Sequence, residues 1–298
     1  MRGLGPTSQR YYSQGLRLHY VDWGNPEAPP LLLVHGGNDH CRSWDWVAQR
    51  LCDRFHVMAV DLRGHGDSDH APGSHYPTHG FILDIAQLIE QRQLAPVNIL
   101  AHSWGGAVSL LYAGIYPENV GRLMVIEGWG PSPEIIKKHG DLAQHERLRQ
   151  WVEATRAVAH KRPPRYATID DCVARMKAAN GRLSDEQARH LTLHAACQNE
   201  DGSWSWKYDP YVRVISPVWM PPAELMPIWS RIDCPVLLLR GTESWASDPL
   251  ADGRAAAFRD VRVEALERAG HWVHHDRLED VVAMAGDFFS HQTLVDQL

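Results

Sequence analysis

The stretch Ala101-His102-Ser103-Trp104-Gly105-Gly106 carries the strongest fold signal in this sequence. An apolar run over residues 97–101 precedes it, and a helical pattern rich in small residues follows over 107–116. A serine between a strand and a helix, with small residues two positions to either side, is typical of a nucleophile elbow. The small side chains, here Ala101 and Gly105, let the strand and the helix approach closely. A buried serine in an ordinary βα turn is the alternative interpretation.

Short apolar runs alternate with amphipathic stretches on both sides of this motif. The predicted strands are residues 16–22, 30–34, 57–60, 97–101, 123–126, 236–240 and 261–266. Because several of these runs are apolar throughout, both faces of the strands are expected to be buried, as in a parallel sheet covered by helices. The alternation of strands and helices predicts an α/β fold with a doubly wound, mostly parallel sheet.

The alternation stops near Gly130 and resumes after about Ser230. The residues between are helical in pattern and rich in proline and tryptophan, and Ser184 begins a sequence typical of a capping box. Six tryptophans lie in or beside this block, namely Trp129, Trp151, Trp204, Trp206, Trp219 and Trp229. We therefore predict a core made of residues 1–129 and 231–298, interrupted by a helical cap over residues 130–230.

Two further motifs follow predicted strands. His35-Gly36-Gly37-Asn38 ends the strand over 30–34, and its glycines allow the backbone to place an N–H group at a developing oxyanion. Ala269-Gly270-His271-Trp272 follows the last strand, and a histidine there can exchange protons near neutral pH. A plain glycine turn is the alternative for the first motif. We interpret His274 and His275 as packing or surface residues.

The segment from Asp61 to Ser68 is rich in charged residues and glycine, and we interpret Asp61, Arg63 and His65 as scaffold rather than catalyst. His271, His274, His275 and Asp276 are residue types that can bind a metal. Because no recognised ligand spacing is present there, the sequence predicts neither a metal nor another cofactor.

Taken in chain order, the motifs at 35–38, 61–68, 101–106 and 269–272 resemble those of the α/β-hydrolase superfamily. The resemblance spans residues 11–289. It implies Ser103 as nucleophile, His271 as base, and the backbone N–H groups of Gly37 and Trp104 as oxyanion donors. It also implies that residues 130–230 cover the active site. The motif layout is similar to that of haloalkane dehalogenases and epoxide hydrolases, which use an aspartate nucleophile. Ser103 at that position favours acyl transfer to water instead.

The acid that would orient the histidine is the least settled member of the site. The usual position in the superfamily is the loop after the strand over 236–240, where Glu243 comes early and Asp248 late. One subgroup of haloalkane dehalogenases places it at the end of the preceding core strand, which here ends in Glu127. A carboxylate there is costly to bury unless a group such as a histidine N–H pairs with it. We favour Glu127 over Asp248 and place Glu243 third.

The functional hypothesis is a serine hydrolase that cleaves carboxylic esters through an acyl-enzyme on Ser103. The same residues could cleave a C–C bond, a lactone or an amide. A ligand-binding receptor that keeps the fold without turnover is the alternative from another class. Because aromatic side chains supply large apolar areas, the tryptophans of the cap suggest a small-molecule substrate with an apolar group.

Composition limits the partners and the compartment. The 298 residues include 30 basic and 36 acidic side chains, and the resulting net charge of −6 gives no footprint for nucleic acid. The five cysteines form no Cys-x-x-Cys pair and no apolar leader is evident, so we expect a cytoplasmic protein. Residues 97–116 lack charged side chains over roughly the length of a membrane span. Their polar and glycine residues favour a strand, a turn and a helix instead.

Overall fold

The computed structural model describes residues 5–218 and 220–290. The strands within these ranges are β1 (Thr7–Ser13), β2 (Leu16–Asp22), β3 (Pro30–Val34), β4 (His56–Val60), β5 (Val97–His102), β6 (Val120–Ile126), β7 (Ala196–Gln198), β8 (Trp204–Trp206), β9 (Val236–Gly241) and β10 (Val261–Leu266). The α-helices are α1 (Asp45–Leu51), α2 (Thr78–Gln91), α3 (Trp104–Ile115), α4 (Pro133–Gly140), α5 (Gln144–Ala159), α6 (Ile169–Ala179), α7 (Asp185–Ala195), α8 (Pro222–Trp229), α9 (Val273–Asp276) and α10 (Leu278–Ser290).

Eight strands form one sheet in the order β1-β2-β4-β3-β5-β6-β9-β10. Strand β2 pairs antiparallel with both β1 and β4, and the other neighbouring strands pair in parallel. The predicted α/β fold with a mostly parallel sheet is therefore confirmed. Strand β1 was not predicted, because its sequence is mostly polar and it lies at the exposed edge of the sheet.

Helices cover both faces of the sheet, as the continuous apolar runs predict. In β3, Leu32 and Val34 belong to the core on the face of α2 and α3, whereas Leu31 and Leu33 belong to the core on the face of α1 and α10. All four side chains are fully buried. The charge-free residues 97–116 contribute to this interior as β5, a turn and α3. No helix in the described ranges is long and apolar enough to cross a bilayer.

Between β6 and β9 the described chain holds α4 to α8 and a small antiparallel pair, β7 with β8. The capping box at Ser184 is present: its hydroxyl accepts from the Gln187 N–H at 3.1 Å, and the Gln187 side chain accepts from the Ser184 N–H at 2.9 Å. Helix α8 differs from α4 to α7 because its Trp229 packs into the apolar core on the face of α2 and α3. Trp219 lies outside the described residues. The assignment of residues 130–230 as a cap stays a prediction.

Candidate active site

The turn between β5 and α3 has the geometry expected of an elbow. Ser103 adopts a φ of 51°, a conformation that is strained for a residue with a side chain. A Cβ on Gly105 would lie 2.4 Å from the carbonyl oxygen of His35, and a Cβ on Gly106 would lie 2.6 Å from Cγ1 of Val125. Only glycine fits at these two positions, because the first turn of α3 presses directly on β3 and β6.

The structure brings Ser103, His271 and Glu127 together. His271 Nε2 lies 3.0 Å from Ser103 Oγ, and His271 Nδ1 lies 3.4 Å from Glu127 Oε2. Ser103 follows β5, Glu127 follows the adjacent strand β6, and His271 lies in the loop after β10. Three segments far apart in sequence thus meet at the carboxyl edge of the parallel strands, where α/β folds place their ligands.

Two further groups hold the carboxylate of Glu127, whose side chain is fully buried. The Gly241 N–H donates to Oε1 at 2.7 Å, and the Ser244 hydroxyl donates to Oε2 at 2.5 Å. The sequence interpretation missed Ser244. Ser244 lies in the loop after β9, at the position where the superfamily commonly has the acid. That position alone could have indicated that Ser244 belongs to the site. The loop thus supplies a donor to the acid of the neighbouring strand.

The alternative acids have other partners. Asp248 accepts from Arg240 Nη1 at 3.1 Å and from the Leu250 N–H at 2.9 Å. Glu243 is half exposed and forms an ion pair with Arg182. Glu127 is therefore the predicted acid that the structure places against His271.

The glycine loop after β3 passes directly over the elbow. A Cβ on Gly36 would lie 3.0 Å from Cβ of Ser103, so this loop approaches the elbow closely at Gly36. His35 fixes this loop: the Leu62 N–H donates to its Nε2 at 3.0 Å, and its Nδ1 donates to the Gly36 carbonyl at 2.6 Å. Trp104 is the first residue of α3, and its N–H therefore has no acceptor within the helix. The assignment of the Gly37 and Trp104 N–H groups as oxyanion donors stays a prediction.

Aromatic and imidazole rings surround His271. Its carbonyl oxygen accepts from His102 Nε2 at 2.9 Å, and the exposed Trp245 stacks on its ring with 4.5 Å between centroids. His274 is buried and stacks on Trp44, and His275 lies 3.2 Å from the Ser43 hydroxyl. These contacts agree with the packing role predicted for His274 and His275. No local sequence pattern indicates the contacts made by His102 and Trp245.

The loop after β4 is held by buried ion pairs. Asp61 Oδ2 lies 2.6 Å from His19 Nδ1, and both oxygens of Asp84 accept from Arg63 at 2.6 Å. Burial raises the pKa of Asp61, but the hydrogen bond and charge of His19 outweigh that effect and lower it overall. These contacts support the scaffold interpretation of Asp61 and Arg63.

Several buried histidines favour the neutral form, which couples stability to pH. Burial lowers the pKa values of His35 and His40 to about 4, and those of His65 and His275 to about 3. In the unfolded chain these groups titrate near 6.5. As pH falls below that value, the unfolded chain binds protons that the folded chain does not, so the free energy of unfolding decreases.

We expect this decrease to amount to about 1.4 kcal/mol per pH unit for each histidine. Asp39 offsets the contribution of about one histidine. Burial raises the pKa of Asp39 to about 7, so below that pH the folded chain holds a proton that the unfolded chain releases. Urea denaturation at about pH 7 and about pH 5 measures the net effect. Equal unfolding free energies at the two pH values would contradict the prediction.

A cavity of about 350 Å³ borders the glycine loop at Gly37 and the residue after His271, Trp272. Its walls are mainly apolar, and they combine the glycine loop with residues from the segment between β6 and β9. Gly37 and Trp272 line one side, and Tyr166, Met176, Leu183 and Trp206, from the segment between β6 and β9, line the other. Of the tryptophans in or beside the predicted cap, Trp206 lines this cavity, whereas Trp129 and Trp229 are buried in the main core.

Comparison with known proteins agrees with this fold. The family model described as the alpha/beta hydrolase fold matches residues 29–278. The chain belongs to the α/β-hydrolase family. A solved structure, the thioesterase domain from the curacin biosynthetic pathway, superposes on this α/β-hydrolase with a TM-score of 0.83 at 21% identity, covering 94% of this chain and 99% of that domain.

Curated relatives of this α/β-hydrolase carry names that refer to different activities. A serine hydrolase-like protein of Danio rerio is 25% identical over 286 residues, 91% of this chain and 84% of the relative. An esterase of Mycobacterium tuberculosis is 27% identical over 285 residues, 92% of this chain and 86% of the relative. Epoxide hydrolase 4 of Mus musculus is 35% identical over 134 residues, which is 44% of this chain and 37% of that protein.

Proposed function

We propose that this α/β-hydrolase cleaves carboxylic esters through an acyl-enzyme on Ser103. The observation that carries the proposal is the contact of His271 Nε2 with Ser103 Oγ at 3.0 Å, with Glu127 on the opposite ring nitrogen. A serine hydroxyl becomes an effective nucleophile when a base takes its proton, and a carboxylate holds that base in the correct tautomer. The likeness to an esterase supports this reading of the site.

In the proposed reaction His271 takes the Ser103 proton while Oγ attacks the ester carbonyl. The backbone N–H groups of Gly37 and Trp104 stabilise the resulting oxyanion. His271 then gives its proton to the departing alcohol. It next activates a water molecule, which releases the acid and restores Ser103. Glu127 stays ionised throughout and stabilises the imidazolium.

The proposed substrate is a small ester that carries an apolar group. The cavity beside Gly37 supports this, because its mainly apolar wall favours such a group over water. We further propose that residues 130–230 act as a cap, since Tyr166, Met176 and Trp206 form the side of this cavity that faces the glycine loop.

Ester hydrolysis is preferred over the activity of the epoxide hydrolase relatives. Those enzymes attack with an aspartate, and Ser103 is at the corresponding position here. A receptor that binds without turnover remains the alternative from another class. The short Ser103–His271 contact favours turnover, because a receptor gains nothing from a base held against the serine.

A serine-directed fluorophosphonate provides the test. We expect the protein to hydrolyse a short-chain chromogenic ester and to lose this activity as one phosphonate is added per chain. Peptide mass spectrometry should place the adduct on Ser103, because an activated serine attacks phosphorus as it attacks a carbonyl.

Denatured protein is the matched control, since the other serines then remain accessible while the activating contact is lost. An adduct on a different serine would reject the assignment of Ser103. Labelling of Ser103 without hydrolysis of any ester would favour the receptor or a different acyl substrate.

A further inference from the structure

Three metal-ligating side chains meet beside the elbow, outside the proposed catalytic contacts. One carboxylate oxygen of Asp39 and one ring nitrogen each of His102 and His274 lie within 4.8 Å of one another. Both histidines are nearly inaccessible, with 2% of their surface exposed. Such a cluster of two imidazoles and a carboxylate has the composition of a metal site rather than of an apolar core.

The imidazole nitrogens are short of hydrogen-bond partners. His102 Nε2 donates to the His271 carbonyl, which leaves Nδ1 as an acceptor that meets no donor within the described ranges. Neither ring nitrogen of His274 meets a hydrogen-bond partner there either. Buried polar atoms of this kind are destabilising unless they are satisfied. The nitrogens therefore point to a ligand bound between the two rings.

We propose that Asp39, His102 and His274 form a binding site for Zn²⁺. Zinc bonds of about 2.1 Å bring tetrahedral ligands to about 3.4 Å from one another, so side-chain shifts of about 1 Å close the site. The Asp39 carboxylate is already oriented, because it accepts from the His40 N–H and from the Ser43 hydroxyl, each at 2.9 Å. Outer partners of this kind are typical of metal ligands.

The position of Asp39 also provides an entry path. It lines the 350 Å³ cavity, so an ion from solvent reaches the carboxylate before it reaches the two buried rings. Two other groupings of metal-ligating residues in the described part of the chain are weaker candidates. His19, Cys41 and Asp61 already satisfy one another through short contacts, and Asp45 is bound by Arg42 beside His190 and His194.

The three ligands belong to three different parts of the candidate active site. Asp39 follows Gly37 by two residues, His102 immediately precedes Ser103, and His274 follows His271 by three residues. An ion that draws these side chains together shifts the loop after β3, the elbow and the start of α9 at once. We therefore expect zinc to inhibit hydrolysis reversibly by lowering kcat, and this consequence rests on the proposed function.

Tag-free protein, freed of metal by dialysis against a chelator, is titrated with Zn²⁺ in a calorimeter and with Co²⁺ by visible absorption. We expect one zinc ion per chain and a tetrahedral cobalt spectrum. His274→Phe keeps the stacking on Trp44 but removes the ligand, and should weaken zinc binding by more than about tenfold. Zinc should no longer inhibit hydrolysis by this variant, measured relative to the variant's own metal-free rate.

His194→Gln is the matched control, since it removes a histidine from the Asp45 grouping and should leave zinc binding unchanged. If His274→Phe does not fold, Asp39→Asn removes a different ligand, and circular dichroism checks its folding. Wild-type protein that binds no zinc, or variants at 274 and 39 that bind it as tightly as wild type, would overturn the proposal. Because calorimetry and cobalt absorption need no substrate, they test the site even if the chain hydrolyses no ester.

Discussion

Replacing Ser103 with alanine is expected to lower kcat/KM for ester hydrolysis by about three orders of magnitude or more. The change removes the Oγ atom that lies 3.0 Å from His271 Nε2, so no acyl-enzyme can form. The proposed oxyanion donors and the cavity are left in place, and we expect them to account for the residual rate. Steady-state kinetics with a chromogenic ester, beside a thermal melt of the variant, measures the effect.

Ser109→Ala is the matched control for this variant. Ser109 lies in the same helix, α3, and its hydroxyl is buried with no hydrogen-bond partner in the described part of the chain. Removing an unsatisfied hydroxyl is nearly neutral or slightly stabilising. We expect wild-type rates from Ser109→Ala. If Ser103→Ala keeps its activity within about tenfold of wild type, Ser103 is not the nucleophile.

The core of the fold was predictable because its strands have a strong local signal. In β3 every position is apolar, and both faces of the strand are indeed buried. Strand β1 has no such signal, because its polar sequence becomes a strand only through pairing with β2, Tyr11 opposite Leu18 for example. The three-residue strands β7 and β8 are too short for any period to be recognised. Tertiary pairing decides these elements.

The candidate site was predictable to the extent that its residues lie in local motifs. Ser103 and His271 each lie after a recognisable strand, Ser103 just before a glycine pair and His271 just after a glycine. Ser244 and the grouping of Asp39, His102 and His274 have no such pattern, because their partners come from distant parts of the chain. Their proximity depends on the order of strands in the sheet. That order places β6 beside β9 and β3 beside β5.

Glu127 lies between these two cases. Its position at the end of a buried strand indicated that it needs a partner, but three acids were possible from the sequence. Which acid lies against His271 depends on the pairing of β6 with β9. This pairing sets Glu127 beside Gly241 and Ser244. Asp248 and Glu243 have arginine partners instead.

Glu127→Gln is therefore expected to reduce kcat by a factor on the order of 10³–10⁴. The amide is nearly the same size as the carboxylate, and its carbonyl oxygen can still accept from the Gly241 N–H, so the fold should persist. It carries no negative charge to stabilise the imidazolium of His271, and its NH₂ group disfavours the tautomer that accepts the serine proton. Single-turnover and steady-state kinetics, with circular dichroism as the check on folding, measure the loss.

Asp248→Asn and Glu243→Gln are the matched controls, because each neutralises a competing acid in the loop after β9. Both acids pair with arginines at positions that remain partly exposed, and such ion pairs contribute little to stability. We expect both controls to hydrolyse the ester at near wild-type rates. If Asp248→Asn is the impaired variant and Glu127→Gln is nearly normal, the acid lies in the loop after β9. Glu127 would then be a structural group whose buried carboxylate anchors Gly241 and Ser244.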